Sequence, residues 1–407
     1  MSGTVFTPAA GGETGRTSGR STPPARREWR EAVRVWWREI DRVLLLLVVI
    51  LMGLGTVAVA AASPAAADQY GVETFAFLKR HIAYQVLGLA VLVATSFASR
   101  TDARRIGIVV AGIMFVLLVL VPIIGVEKNG ARRWLDLGIS VQPSEFLKPA
   151  FAILLAWMLS WRAREPNLPV VFYATVAMGI VGALLMLQPN LGEAVLFGGV
   201  WFVLVLLSGV SIQRIAALIG IGMAALTASY FLYDNARYRI DSFLGGGTAF
   251  DQVDLAQRTL LAGGWTGSGL WLGVRKMNLP EAHTDYIFSV VGEEFGLLVC
   301  ALFVALYAAI VARALLRLID EEDMFALLAG AGLATLLGGQ AFINILVNLQ
   351  LFPSKGMTLP LVSYGGSSTL AVCFTVGLLL AISRRNPFLK RERPGLGQLF
   401  ERKEESA

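Results

Sequence analysis

Stretches of about twenty apolar residues recur along nearly the whole chain, and they decide what it can fold into. A segment of about 20 apolar residues spans the hydrocarbon core of a bilayer. Inside that core only helices and closed barrels satisfy their own backbone. Ten such segments read as helical spans, at about 43–63, 82–99, 106–125, 144–161, 168–188, 191–210, 214–233, 286–315, 325–350 and 359–383. The 407 residues are 16% charged, against about 25% in soluble domains, so no soluble domain of useful size remains between the spans. The fold class that follows is all-α. It is a polytopic membrane bundle of about ten transmembrane helices, with one long loop between helices 7 and 8, from about Asp234 to Asp285.

The net charge is +6, and its placement matters more than its size. Met1 to Arg42 holds eight Arg against five acids, and Arg384 to Ala407 holds seven Lys and Arg against four. The tails therefore carry the whole excess, which argues against nucleic-acid binding. Basic ends read as cytoplasmic flanks, and an even number of spans puts both tails on one side. Three organisational units follow: a largely disordered, basic cytoplasmic tail over 1–42, a membrane domain over 43–383, and a cytoplasmic tail over 384–407. Residues 1 to about 25 are rich in Gly, Ser, Thr and Pro and predict disorder. Trp29, Val33, Trp36 and Ile40 then recur at helical spacing, as in a short interfacial helix or a plain lead-in to the first span. Ala60 to Ser63 resembles a signal-peptidase site, but a span this long behind a long leader reads as an uncleaved anchor.

Arg100, Arg104 and Arg105, then Arg162 and Arg164, then Arg313 and Arg317 fall in loops on the cytoplasmic side, as the positive-inside tendency requires. Two loops on the far side break that rule. One holds Glu127, Lys128, Arg132, Arg133 and Asp136, and the other is the long loop. Charge placed against the topogenic trend suits an anionic substrate, or is ordinary solvated loop charge. Cys300 and Cys373 lie in apolar runs, so a structural disulfide is not expected. His81 and His283 are the only histidines, and neither has a partner at metal-ligand spacing.

Three clusters carry chemistry. Asn129 to Leu135 reads NGARRWL and Gln142 to Lys148 reads QPSEFLK. Gly130 permits a tight turn, and two adjacent Arg offer forked donors for phosphate oxygens. Pro143 suits the first turn of a helix, with Ser144 and Glu145 beside it. Lys148 then falls inside the fourth span, where it needs a partner or a wet cavity, unless it snorkels to the interface. The second cluster is Leu279 to Phe288, LPEAHTDYIF, followed by Glu293 and Glu294. Asp285 stands at the outer edge of the eighth span, either as a base of raised pKa or as the N-cap of that span. The third is Pro353 to Ser368, PSKGMTLPLVSYGGSS. In it Lys355 lies on the outer face, Pro360 begins a helix, and Gly365 to Ser368 offer small surfaces for helix contact.

Together these clusters resemble the SEDS family, the proteins of shape, elongation, division and sporulation, over roughly residues 40 to 390. The third cluster, with Lys355 and Gly356, looks like the division members. The resemblance implies a peptidoglycan glycosyltransferase of the bacterial cytoplasmic membrane, acting at the division septum on lipid II in the outer leaflet. Its essential acid falls on Asp285, its basic residues on Arg132, Arg133, Lys148 and Lys355, and its loop glutamine on Gln252. Glu145, Glu293 and Glu294 are read as supporting groups. A class B penicillin-binding transpeptidase and other division proteins are the implied partners. No acidic cluster demands a metal, though a divalent cation could share the stabilisation of a leaving diphosphate. An elongation-type polymerase, a lipid II flippase and a non-catalytic scaffold are the competing readings. The sequence departs from the family pattern at Gln188 to Glu193, QPNLGE, where a carboxylate is absent at Asn190 and present at Glu193. The glycine-rich Gly245 to Phe250 is unusual as well.

Overall fold

The computed structural model describes residues 25–128, 131–136, 138, 140–245, 252–353 and 356–385. The N-terminal stretch expected to be disordered, Gly130, most of the Gly245 to Phe250 stretch, Lys355 and the tail beyond Arg385 lie outside the described residues. The helices in chain order are α1 (Ala25–Glu39), α2 (Arg42–Tyr70), α3 (Ala76–Ser96), α4 (Arg100–Ile124), α5 (Pro143–Ser160), α6 (Val170–Leu187) and α7 (Leu191–Leu207). They continue as α8 (Ile212–Leu232), α9 (Asp234–Leu244), α10 (Gln252–Ala262), α11 (Ile287–Leu318), α12 (Met324–Asn348) and α13 (Gly366–Ile382).

Eight of these helices are long and apolar enough to cross a membrane, and α7 and α13 are apolar helices of 17 residues. At 1.5 Å per residue, 17 residues reach about 25 Å, close to the hydrocarbon thickness. The ten helices fall on the ten expected spans, and the molecule is a polytopic helical membrane protein. Its outward faces stay apolar, with Val86, Ile123 and Phe172 exposed, as lipid contact requires. α8 is the outlier. None of its residues is buried, and an apolar cleft of about 600 Å³ separates it from α6 and α7.

The periodic stripe before the first span is indeed a helix. Within α1, Trp36 stacks on Phe97 with centroids 4.7 Å apart and donates its indole N–H to Ser96 at 3.0 Å. Asp41 caps α2 through the N–H groups of Val43 and Leu44 and accepts from Arg313 at 2.8 Å and Arg317 at 2.7 Å. Burial works against its charge, but these guanidinium groups hold the carboxyl below its ordinary range. The Ala60 to Ser63 stretch lies in the middle of α2, with Ala61, Ala62 and Ser63 fully buried.

Three departures from the sequence reading shape the outer end. The purely helical expectation missed a small antiparallel sheet, β1 (Val126–Lys128), β2 (Ala131–Asp136) and β3 (Ser140–Val141), in the order β1-β2-β3. Lys128 pairs with Ala131 where β1 meets β2. The eighth span is not one continuous helix. Gly296 has φ 83 inside α11, and a Cβ there would sit 2.4 Å from the carbonyl oxygen of Trp265. The chain after α10 fills the break: Ser268 and Gly269 donate to the carbonyls of Glu293 and Glu294 at 2.8 and 3.0 Å, and Leu297 donates to Gly264 at 2.9 Å. The opened turn therefore leaves those groups paired.

The tenth span, α13, begins at Gly366, not at Pro360. Residues 359–364 form a buried turn region whose polar groups are met by side chains. Ser363 accepts from the N–H of Leu359 at 2.8 Å, and Gln85 reaches the carbonyl of Leu361 at 3.4 Å. The N–H of Tyr364 donates to the carbonyl of His283 at 2.9 Å. Non-helical backbone at this depth is tolerated only when buried and satisfied in this way.

Candidate functional site

Each of the three sequence clusters ends on a different element, and α12 draws two of them together. Gln340, Asn344 and Asn348 form a polar stripe at i, i+4 and i+8 on this otherwise apolar helix, all buried. Asn344 donates to the carbonyl of Asp285 at 2.8 Å and to that of Met357 at 2.7 Å. Asn348 donates to the carbonyl of Asp285 at 3.2 Å and accepts from the N–H and hydroxyl of Ser289. Gln340 donates to the carbonyl of Thr358 at 3.0 Å. The backbone on both sides of the site is thus pinned to one helix.

Asp285 lies two residues before α11, and the N-cap of that helix is Tyr286, which makes no side-chain cap bond. On the other side of the site, β2 carries Arg133. Its Nε donates to the carbonyl of Gln188 at 3.1 Å and its Nη2 to that of Pro189 at 2.6 Å. A Cβ placed on Gly356 would lie 3.4 Å from Oδ2 of Asp285 and 3.7 Å from Nη1 of Arg133. The carboxylate and the guanidinium thus both come close to one point, beside Gly356 of the third cluster.

Around that point is a cavity of about 710 Å³. Its wall includes Arg133, Gln252, Asp285, Gly356, Gly365 and Ser368, with Glu145 among the other lining residues. All three clusters reach it, and Gln252 does so from the first turn of α10. Tyr84, Trp134, Glu281 and Thr284 also line it and were not singled out from the sequence. The missed signal was the α12 stripe, since polar residues at helical spacing inside a span mark a functional face.

Lys148 does not snorkel. It is 3% exposed, and its Nζ lies 2.7 Å from Glu145, 3.4 Å from Glu193 and 3.4 Å from Gln340. Gln142 donates to Glu193 at 3.1 Å. Two carboxylates thus hold one ammonium just beneath the cavity, and only Glu145 of the three reaches the cavity wall. Glu193, the carboxylate noted as a departure in QPNLGE, belongs to this buried group.

Arg132 points away to solvent, paired with Glu127 at 3.5 Å. Glu293 and Glu294 do not line the cavity. Glu293 accepts from the N–H groups of Arg275 and Lys276 at 2.7 and 2.9 Å, and Glu294 pairs with buried Lys276. They bind the long loop to α11 and so carry the strand of chain that presents Asp285. His283 backs the site, packed against Phe77 at 4.4 Å and Tyr364 at 5.4 Å between ring centroids. Burial pushes its imidazole down from 6.5 to about 4. Among the described residues, no three His, Cys, Asp or Glu side chains converge as metal ligands.

Comparison with known proteins gives a consistent picture. A probable peptidoglycan glycosyltransferase, FtsW, of Caulobacter vibrioides is 38% identical over 365 residues, covering 88% of this chain and 93% of its own. A protein of the same description from Geobacter metallireducens is 36% identical over 372 residues, covering 86% and 96%. Among solved structures, one chain comes from a peptidoglycan synthase complex described for structural coordination of polymerization and crosslinking. It matches with a TM-score of 0.71 at 29% identity, over 84% of this chain and 97% of that one. The rod shape determining protein RodA of Thermus thermophilus matches with a TM-score of 0.63 at 28% identity, over 85% and 97%. The family model for FtsW, RodA and SpoVE, described as cell cycle protein, matches residues 41–387, and the chain belongs to that family.

Proposed function

We propose that the chain is a peptidoglycan glycosyltransferase that polymerises lipid II into glycan strands at the outer face of the cytoplasmic membrane during septal wall synthesis. The observation that carries this reading is the shared cavity, in which Asp285 and Arg133 both reach the same point beside Gly356. The names of the relatives and the basic character of both tails support it. In this orientation both tails are cytoplasmic, over 1–42 and 384–407, and the membrane domain spans 43–383.

The reaction joins the 4-hydroxyl of N-acetylglucosamine to the anomeric carbon of N-acetylmuramic acid. The new C1–O4 bond replaces the C1–O bond to undecaprenyl diphosphate, and the hydroxyl proton must go to a base. An alcohol is a weak nucleophile at neutral pH, and a carboxylate within hydrogen-bond reach accepts that proton in the transition state. Asp285 has that role in our reading. The departing diphosphate gains negative charge, which preorganised cations stabilise. Arg133 and Lys355 supply them, and exposed Arg132 meets the diphosphate as it arrives. Gln252 contacts the sugar, while Lys148 and Glu145 set the charge of the cavity floor and hold it in shape. Glu293 and Glu294 position the loop. A divalent cation would enter with the diphosphate rather than in a protein cage.

Transport across the bilayer is the weaker reading. Below the Lys148 group α5 is closely packed, with Ala150, Phe151, Ala152, Ile153 and Leu155 at most 2% exposed. In the cell the partner is a class B penicillin-binding transpeptidase, a reading supported by the likeness to a chain of a synthase complex. The test is polymerisation of purified lipid II by the purified chain, alone and with its cognate transpeptidase. Glycan strands are expected, in greater yield from the pair. No glycan under either condition would overturn the proposal.

A further inference from the structure

At the other end of α5 the bundle holds a second cavity, of about 390 Å³, that the glycosyl-transfer scheme does not use. From Glu145 to Trp161 the helix carries the chain about 24 Å away from the catalytic cavity, at 1.5 Å per residue. Arg100, Arg104, Trp157, Trp161, Arg164 and Phe325 contribute to its wall. They come from the start of α4, the end of α5, the turn after it and the start of α12.

The charges in this cavity are not equally engaged. Arg100 is taken by Glu321 through two bonds of 3.0 and 2.8 Å. Arg104 lies 5.8 Å from the ring of Phe325. Neither Arg104 nor Arg164 makes an ion pair with a described residue. On the acidic side, Asp323 is engaged in capping α12, accepting from the N–H of Phe325 at 3.1 Å. Glu322 lines the cavity as well and has an interaction of its own. Two guanidinium groups therefore remain for a visiting anion, and both are forked donors matched to phosphate oxygens.

The aromatic wall says from where that anion comes. Trp157 and Trp161 meet edge to face with centroids 6.5 Å apart, and Trp161 is 39% exposed. Tryptophans at the end of a span sit at headgroup level, with one side in lipid. Val109 further along α4 and Leu168 in the connection between α5 and α6 are exposed apolar residues, as on a lipid-facing surface. Basic pockets between spans at this level suit anionic headgroups.

We propose that this cavity binds the phosphate-bearing headgroup of an anionic phospholipid, in the leaflet opposite the catalytic cavity. The inference rests on this end of the bundle alone and does not depend on glycan polymerisation. The phosphodiester takes the forks of Arg104 and Arg164, the Trp157–Trp161 pair flanks the glycerol region, and the acyl chains leave along the lipid-facing side of α4, where Val109, Ile113 and Val116 are exposed.

The test uses the full chain in detergent, titrated with dioleoylphosphatidylglycerol and, separately, with dioleoylphosphatidylcholine, with bound lipid read by native mass spectrometry. Wild type is expected to retain phosphatidylglycerol in preference to phosphatidylcholine. The Arg104→Gln/Arg164→Gln pair should weaken that retention on the order of tenfold or more, the scale of a lost charged hydrogen bond. Arg162→Gln, outside the cavity, should leave it unchanged. Arg164 is exposed, so Arg164→Gln alone provides a variant that folds, and a several-fold loss is expected from it. Retention unchanged in both Arg104→Gln/Arg164→Gln and Arg164→Gln would overturn the proposal. So would displacement of the lipid by millimolar inorganic phosphate, which would mark a site for soluble anions.

Discussion

Asp285 and Arg133 sit 152 positions apart in the sequence and face the same point beside Gly356. Arg133 is tied on its far side to the carbonyls of Gln188 and Pro189, so its guanidinium is aimed before any substrate arrives. Replacing it by Ala removes both the aim and a charge-assisted contact to phosphate, each among the stronger hydrogen bonds. Lipid II turnover (kcat/KM) should fall on the order of ten- to a hundredfold for Arg133→Ala, at about 1.5–3 kcal/mol per charged bond. Arg162→Ala, at the other end of α5, should leave turnover unchanged. Equal effects in the two variants would remove Arg133 from the site. Asp285, Arg133 and Lys148 were legible in the sequence because charge inside or outside the membrane against the usual trend stands out, whereas uncharged Gln252 came only from the family resemblance. Glu193 was seen only as a departure, because nothing in a linear pattern reveals that it turns toward Lys148. Glu293 and Glu294 were legible as buried carboxylates, but their partners, the N–H groups of Arg275 and Lys276 and the Lys276 ammonium, come from a loop whose path no periodicity encodes.

The ten spans were legible because hydrophobic length is a local property. The break in α11 was not, since Gly296 matters through the loop that fills it. Gly296→Ala would force an L-residue to φ 83 and press its Cβ on the Trp265 carbonyl at 2.4 Å. Such strain costs about 1–3 kcal/mol, and the thermal midpoint in detergent should drop. The matched control is Gly53→Ala in α2, where a Cβ meets nothing within 4 Å. That change should leave the midpoint unchanged or raise it slightly, because Ala is the better helix former. A pH effect belongs to the same region. His283 is buried neutral, its imidazole held at about 4 instead of 6.5, so between these values the unfolded chain binds a proton that the folded chain refuses. Its contribution to stability is complete above pH 6.5 and declines as pH falls toward 4. The thermal midpoint of wild type should fall relative to that of His283→Phe across this window. Parallel curves would mean that His283 does not titrate this way.

At the scale of the whole molecule, two ends of one bundle carry different tasks, and their sides can be read directly. Cys300 and Cys373 are buried, so introduced thiols report cleanly. Leu272→Cys in the long loop should label from outside intact cells, and Ile319→Cys between α11 and α12 only after permeabilisation. Both side chains are well exposed, at 68% and 72%, and the reverse pattern would invert the orientation. The central claim is that Asp285 is the base for glycosyl transfer, and Asp285→Asn tests it most directly. Asn is close to isosteric with Asp, and the α11 N-cap is Tyr286. The backbone carbonyl of residue 285 keeps its bonds from Asn344 and Asn348, so the variant should insert and fold. An amide cannot take up the hydroxyl proton, and losing a general base lowers the rate on the order of 10²–10⁴-fold. The decisive measurement is the rate of glycan polymerisation from purified lipid II by Asp285→Asn, at matched protein level and in the presence of the cognate transpeptidase. The account predicts a stable protein with polymerisation reduced by at least about a hundredfold, and glycan strands made at near wild-type rate would contradict it.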